Sequence, residues 1–182
     1  MVRALLSACL LLLSNDGAFA QEPLGGILPI KDGKVTYTGV SPRDSLTADQ
    51  LYLYTRRWVV DQYKSGKDVT QMDDPANKEV IARGWFPALW NVTFYAPTEI
   101  QVWHTISIQC RDGRFKYEVT DFSIKWFVGA PYSTWYDSPI EEWNRAREKN
   151  VVKVYEQVHL KVAEMLRSLS DAIAEGAAEK DW

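Results

Sequence analysis

The stretch Glu99–Cys110, EIQVWHTISIQC, decides the fold because its side chains alternate strictly between two classes. One class is apolar apart from His104, and the other is polar apart from Trp103. A period of two is typical of a β-strand with one buried face and one partly wet face. The next residues, Arg111-Asp112-Gly113-Arg114, predict a hairpin turn, because Gly accepts the positive φ that such turns need. The stretch therefore predicts one arm of an antiparallel strand pair.

The returning strand changes phase partway along. Apolar side chains occupy odd-numbered positions from Phe115 to Val119 and even-numbered positions from Phe122 to Trp126. One extra residue in one strand of a pair produces such a change and bends the strand. We therefore predict a β-bulge near Thr120-Asp121.

The elements before this pair combine strands with one helix. Lys31-Asp32-Gly33 predicts a hairpin turn between strands at residues 27–30 and 34–40. Thr47-Ala48-Asp49-Gln50 has the form of a capping box that opens a helix, with Gly66 as its C-cap. Short strands are predicted near residues 68–72, 79–85 and 91–95.

A long helix is predicted at the C-terminal end, over about residues 138–174. Ser138-Pro139-Ile140-Glu141 combines an N-cap Ser, a first-turn Pro and an N3 Glu. An apolar stripe then recurs at helical spacing, comprising Val151, Tyr155, Val158, Val162, Leu166, Leu169 and Ile173. No linker or repeat divides residues 21–182, so we expect a single α+β domain.

Residues 1–20 have the form of a signal peptide. Arg3 precedes an apolar run over Ala4–Leu13, and Ala18-Phe19-Ala20 fits a small-x-small cleavage site before Gln21. The run is too short to span a bilayer, which takes about 20 residues. We expect export to the periplasm, the cell surface or the medium. The alternative is a lipid anchor on Cys9, because Leu6-Ser7-Ala8-Cys9 resembles a lipoprotein box.

Composition excludes some partners and cofactors. The 182-residue chain is 46% hydrophobic and has a formal net charge of −3, which argues against disorder and against nucleic acid as a partner. Its two His, His104 and His159, lack a second ligand at metal-binding spacing, so we predict no metal site and no cofactor. Cys110 is the lone cysteine after residue 20, and we interpret it as a small buried side chain.

Two constellations could carry function, although no local catalytic motif is present. Counting outward from the Asp112-Gly113 turn places His104 opposite Asp121, and a His oriented by a carboxylate could serve as a general base in a small hydrolase-like enzyme. The alternative is a polar pair that satisfies itself at the edge of the core.

The second constellation is aromatic. Trp85–Trp90 and Trp126–Tyr136 place many rings in or beside predicted connections, and we single out Trp85, Trp90, Trp135 and Tyr136 as candidate ligand-binding residues. Exposed rings stack on sugars and flat ligands. They would suit a non-catalytic module that binds an envelope protein or glycan. The alternative is that these rings close the ends of the core.

The chain also resembles the domain of unknown function 4468 family, known mainly from exported proteins of Bacteroidota. The resemblance covers about residues 27–127 and rests on four segments: Leu28–Tyr37, Leu51-Tyr52 with Trp58, Lys67–Asp74 with Gly84, and the strand pair with its Arg111–Arg114 turn. It implies a TATA-binding-protein-like fold, a curved antiparallel sheet with helices packed on one face. It implies no activity and no site residues, and it does not extend to Trp126–Tyr136 or to the final helix.

Overall fold

The structure, a computed structural model, describes residues 23–63, 70–90, 97–143 and 149–178. A 3-10 helix at Pro23–Gly26 comes first. The strands and helices that follow are β1 Ile30–Lys31, β2 Lys34–Val35, β3 Tyr37–Pro42, α1 Ala48–Tyr63, β4 Thr70–Asp74, β5 Glu79–Trp90, β6 Thr98–Arg111, β7 Arg114–Val128, β8 Thr134–Pro139 and α2 Lys149–Ala178. The predicted strand at 91–95 and the predicted C-cap Gly66 lie outside the described residues.

One antiparallel sheet dominates the molecule, with strand order β3-β7-β6-β5-β4. Strand β8 also pairs with β7. Because β6 occupies one edge of β7, β3 and β8 share the other edge: β3 pairs with residues 114–119 and β8 with residues 123–128. Strands β1 and β2 form a separate hairpin.

The predicted bulge is present and bends β7. Trp103 pairs with Ser123, whereas Thr105 pairs with Thr120, so His104 faces two residues of β7. Asp121 adopts a φ of 53°, in the left-handed region. The extra residue moves the apolar side chains to the opposite parity, which keeps both halves of β7 facing the core.

Both predicted hairpin turns are confirmed. Asp32 and Gly33 have φ of 52° and 78°, and Gly113 has a φ of 74°. The Asp112 carboxylate accepts a hydrogen bond from the Ala48 backbone N–H at 2.8 Å. This contact ties the β6–β7 turn to the start of α1.

Helix α1 begins at the predicted capping box. The Thr47 backbone N–H donates to the Gln50 side-chain oxygen at 2.9 Å, and the Gln50 backbone N–H donates to the Thr47 hydroxyl at 3.4 Å. The helix buries Leu51, Trp58 and Val59 against the sheet.

The C-terminal helix differs from its prediction at its start. Ser138 and Pro139 end strand β8, and the helix is described from Lys149. The sequence has a good helix N-cap there, but residues 134–139 pair with the second half of β7, and Pro is tolerated at the end of an edge strand. The apolar stripe of α2 is confirmed, since Val151, Val158, Leu169 and Ile173 are all buried.

Trp85–Trp90 also differs from its prediction, because it forms the second half of β5 rather than a connection. The predicted strand ended at residue 85, before Pro87. In the structure β4 pairs with β5 only through Ala82, so Pro87 lies where the outer edge of β5 has no described strand partner. A Pro without an N–H costs no ladder hydrogen bond there.

The core lies between one face of this sheet and the two helices. Ile100, Val102, Ile106 and Ile108 of β6 are fully buried there. The Trp58 indole N–H donates to the Ser168 hydroxyl at 3.1 Å and links α1 to α2. The sheet and helices make an α+β fold, as predicted. Neither α-helix of the described residues is long and apolar enough to cross a membrane.

The opposite face of the sheet is not covered by the helices, and we call it the open face. Its members on β6 are Gln101, Trp103, Thr105, Ser107 and Gln109, each of which is partly exposed. Side chains directly across from them on β5 and β7 share this face.

Candidate functional site

His104 points into the core, as the parity of β6 predicts. It is 1% exposed, and its Nε2 lies 2.8 Å from the Tyr63 hydroxyl. Its ring stands 5.3 Å from the ring of Phe86 and 6.0 Å from that of Phe122, measured between centroids. Burial lowers the pKa of His104 to about 4, so the imidazole is neutral at neutral pH.

Asp121 does not accompany His104. Its carboxylate lies 2.7 Å from Lys34 Nζ on the surface, and this contact raises the pKa of Lys34. The bulge explains the difference from the predicted pair, because the extra residue gives Asp121 a left-handed backbone and places Phe122 on the His104 side of the sheet. The two residues therefore form no base-orienting hydrogen bond.

The four aromatic candidates divide into two pairs. Trp85 and Trp135 lie on the open face, 42% and 58% exposed. Trp90 is 6% exposed and packs edge-to-face on Trp143 at a ring distance of 5.1 Å. Tyr136 stacks on Trp126, with rings 5.4 Å apart, on the helix-covered side. Trp90 thus closes one end of the core, as the alternative interpretation held.

Trp85 and Trp135 each belong to a pair of rings on the open face. The row formed by Gln101, Lys125 and Asp137 lies between the two pairs. We call the two pairs together the aromatic patch: Trp85, Trp103, Phe127 and Trp135. Trp85 pairs across the strands with Trp103, and Phe127 pairs with Trp135, with their rings 5.5 Å apart. Trp103 was not among the predicted binding residues. The sequence did hold a signal for it: Trp103 is the one aromatic side chain among the polar positions of β6. A Trp on the solvent-facing side of a strand does not contribute to the core, so it is a candidate for ligand binding.

Charged and polar side chains contact the Trp103 ring and lie between the two ring pairs of the patch. Lys125 Nζ lies 4.7 Å from the centroid of the Trp103 ring, and the Arg83 guanidinium lies 5.7 Å from it. The Trp103 indole N–H donates to the Gln101 side-chain oxygen at 3.1 Å. Lys125 also contacts the Asp137 carboxylate at 3.4 Å. The patch therefore combines apolar ring faces with hydrogen-bonding groups on rigid strands.

A separate groove lies between α1 and β4. It encloses about 810 Å³, and its described lining includes Leu53, Val60 and Thr70 but no aromatic ring. Arg56 and Asp73, also in the lining, are paired at 2.7 Å. The lining of the groove includes Asp61 and Thr70, and residues 64–69 of the sequence between them lie outside the described part of the chain, so we assign the groove no role.

Two crystal structures of bacterial proteins have folds similar to that of this chain. A crystal structure of a DUF4468 family protein from Bacteroides ovatus ATCC 8483 matches with a TM-score of 0.64 and 18% identity, covering 83% of this chain and 92% of that one. A crystal structure of a TBP-like protein from Parabacteroides distasonis ATCC 8503 matches with a TM-score of 0.64 and 15% identity, covering 81% and 97%. No curated protein matches the chain.

These likenesses establish the fold, including the curved sheet with helices on one face that the sequence resemblance implied. A family model spans residues 30–125, which is more than half of the chain. The chain therefore belongs to the family described as Domain of unknown function (DUF4468) with TBP-like fold.

Proposed function

We propose that this protein is an exported, non-catalytic module that binds a glycan of the cell envelope through the aromatic patch. The observation that carries the proposal is the placement of two ring pairs, Trp85 with Trp103 and Phe127 with Trp135, on the sheet face that the helices leave uncovered. Large exposed apolar surfaces on soluble proteins usually mark interaction sites.

The chemistry of the patch suits sugars. The C–H faces of a sugar ring are apolar and stack on indole rings, whereas its hydroxyls need hydrogen-bond partners. Gln101 and Asp137 lie beside the rings and supply such partners. Because the rings stand on paired strands, little conformational entropy is lost when a ligand binds.

The positions of His104 and Asp121 favour a non-catalytic role over the hydrolase alternative. A general base must reach the proton that it removes. His104 is enclosed by Tyr63, Phe86 and Phe122, and Asp121 is engaged with Lys34 at the surface.

Export is supported by the charged, apolar and small-residue segments of residues 1–20. We expect the exported protein to begin at Gln21, because Ala18-Phe19-Ala20 fits the cleavage site. N-terminal sequencing of protein recovered from the envelope or medium checks this. An acylated Cys9 would instead place the protein on a membrane anchor.

Glycan binding is tested by affinity electrophoresis through gels that contain one envelope polysaccharide each, across a panel of neutral and acidic polymers. We expect Trp85→Ala and Trp135→Ala each to weaken retention about tenfold, since losing one stacked ring removes roughly 1.4 kcal/mol. The controls are Val152→Ala and Leu160→Ala, both on α2; both residues are exposed apolar side chains.

Retention of the wild type by at least one polymer, with both controls unchanged, supports the proposal. Failure of every polymer to retain the wild type contradicts it. Equal retention of the wild type and both Trp variants contradicts the assignment to the aromatic patch.

A further inference from the structure

The far end of the open face, beside the β6–β7 turn, contains a depression that is distinct from the aromatic patch. It is a depression of about 250 Å³, and we call it the basic pocket. Its lining residues are Val40, Gln109, Arg111, Arg114 and Lys116. It is lined by three cationic side chains and no carboxylate.

The cations of the basic pocket are arranged in a way that costs stability. Arg111 and Arg114 are direct cross-strand partners, and Lys116 pairs with Gln109 one step along the same face. Like charges directly opposite each other on a sheet repel. Within residues 23–63, 70–90, 97–143 and 149–178, no carboxylate lies within 4 Å of their side-chain nitrogens. The carboxylate of the turn itself, Asp112, accepts from the Ala48 N–H instead.

We propose that the basic pocket binds the carboxylate of an acidic sugar residue in the glycan that lies on the aromatic patch. This inference rests on the proposed function and specifies its ligand as an acidic glycan. Guanidinium groups match a carboxylate with two parallel hydrogen bonds, and the bound anion would relieve the repulsion between Arg111 and Arg114.

A polar track, the row of β6 side chains Thr105, Ser107 and Gln109, lies between the two ends of the open face. A depression of about 210 Å³ shares Gln109 and Lys116 with the basic pocket and continues to Ser107. From Gln109 to Trp103 the strand advances about 20 Å at 3.3 Å per residue, a span that covers several sugar rings. The ligand on this track is therefore an oligosaccharide rather than a single sugar.

The acidic residues beside the track indicate that the anionic group bound in the basic pocket carries a single negative charge. Glu79 and Glu118 line the connecting depression, and the Ser107 hydroxyl donates to Glu79 at 2.9 Å. Their carboxylates can accept hydrogen bonds from sugar hydroxyls, but they repel anions. A doubly charged phosphate would be repelled more strongly than a carboxylate. We therefore assign a uronic acid to the pocket rather than a phosphorylated sugar.

The test compares polyuronates in which the uronic acid alternates with a neutral sugar, namely hyaluronan and heparosan, each with its own carboxyl-reduced, neutral form. We expect the wild type to bind at least one polyuronate about tenfold more tightly than its reduced form. Arg111→Gln and Arg114→Gln should remove this preference while leaving the affinity for the reduced form unchanged. Arg167→Gln, an exposed cation on α2, is the control for net charge and should keep the preference.

Folding of the variants is measured in parallel by chemical denaturation. Arg111→Gln and Arg114→Gln should be at least as stable as the wild type, because each removes a repulsion. A loss of stability in both would assign the arginines a structural role and overturn the inference.

The outcomes separate the inference from the proposed function. One outcome is that every polyuronate binds as tightly as its reduced form and that this binding depends on Trp85 and Trp135. That outcome supports the proposed glycan-binding function and contradicts carboxylate binding in the basic pocket. Tighter binding of a sulfated neutral polymer than of any polyuronate overturns the assignment to a carboxylate. Absence of binding to any polymer overturns both.

Discussion

At the scale of single residues, His104 shows how burial and one hydrogen bond define a role. The side chain faces Tyr63 from α1, Phe86 from β5 and Phe122 from β7, and no described carboxylate is paired with it. Gly84, directly across from His104, leaves the space that the Tyr63 ring occupies. His104 is thus a polar core residue whose neutral form the fold requires.

We expect His104→Ala to lower the free energy of unfolding at pH 7 by about 1–3 kcal/mol, because the partly buried Tyr63 hydroxyl loses its hydrogen bond to the imidazole and keeps only the weak sulfur acceptor of Met165. The pKa of His104 falls from about 6.5 unfolded to about 4 folded, so its neutral form stabilises the fold above pH 6.5 and this contribution is lost as the pH falls toward 4. The wild type should therefore lose about 2 kcal/mol from this group between pH 7 and pH 4.5. The free energy of unfolding of His104→Ala should fall less over the same pH range. The difference in this free energy between the wild type and the variant should therefore be smaller at pH 4.5 than at pH 7.

Urea denaturation at both pH values measures this. Leu160→Ala, at an exposed position on α2 that carries no titratable group, is the control and should keep the pH dependence of the wild type. A gap between wild type and His104→Ala that is the same at pH 7 and pH 4.5 would show that His104 is not held neutral.

The sequence could predict where His104 points but not what it contacts. Its direction follows from parity with Val102 and Ile106, which any strand imposes. The partner of Asp121 depends on where the bulge falls and on the left-handed φ of 53° at that residue. Neither is encoded in a period of two, so counting from the turn placed Asp121 opposite His104, whereas in the structure its carboxylate lies beside Lys34.

At the scale of elements, the predictions failed where a proline stood in a strand. The predicted strand at residues 79–85 stopped short of Pro87, which lies inside β5, and Pro139 at the end of β8 was interpreted as the first residue of a helix. Both lie where the missing N–H costs no ladder bond, which is decided by neighbouring strands rather than by local sequence. By contrast, the Asp-Gly turns and the capping box at Thr47 were predictable because they depend only on adjacent residues.

The outer edge of β5 provides an element-scale prediction. The Leu89 N–H donates to the Gln157 side-chain oxygen at 2.9 Å, and the Gln157 side-chain N–H donates to the Leu89 oxygen at 3.0 Å, so a side chain of α2 satisfies the strand edge. We expect Gln157→Ala to lower the free energy of unfolding by about 1–2 kcal/mol through these bonds. Hydrogen exchange at the Leu89 amide should also become faster.

Denaturation and amide exchange, read by NMR, measure both effects. Glu156→Ala, at an exposed neighbouring position on α2, is the control and should change neither. Unchanged protection of the Leu89 amide in Gln157→Ala would contradict this account of the edge.

At the scale of the whole molecule, the two faces of the sheet have different roles. The face covered by the helices forms the core that stabilises the fold, and the open face carries the proposed binding surface. Helices α1 and α2 both pack on the covered face and contact each other through Trp58 and Ser168. The open face carries the aromatic patch and the basic pocket, whose side chains are largely exposed. The alternation of β6 predicted two faces, but the grouping of rings from four strands required the register of the sheet.

This packing predicts a single cooperative unfolding transition for residues 21–182. Trp fluorescence reports the eight tryptophans, and far-UV circular dichroism reports the helices and sheet. The two should give coincident curves in urea, because α2 shares one core with the strands. Two resolved transitions, or a stable proteolytic fragment that ends near Tyr136, would identify α2 as a separate arm.

The sharing of one edge of β7 by β3 and β8 has a consequence for the order of folding. Strands β4 to β8 are each paired with the strand next to them in the chain, so they can form by successive short loop closures. Strand β3 must cross the intervening sequence to reach β7, as the pairing of Tyr37 with Val119 shows. Non-local pairs form late when local ones are available. Substitutions in β3 should therefore mainly accelerate unfolding, whereas substitutions in the β6–β7 pair should slow the formation of the nucleus.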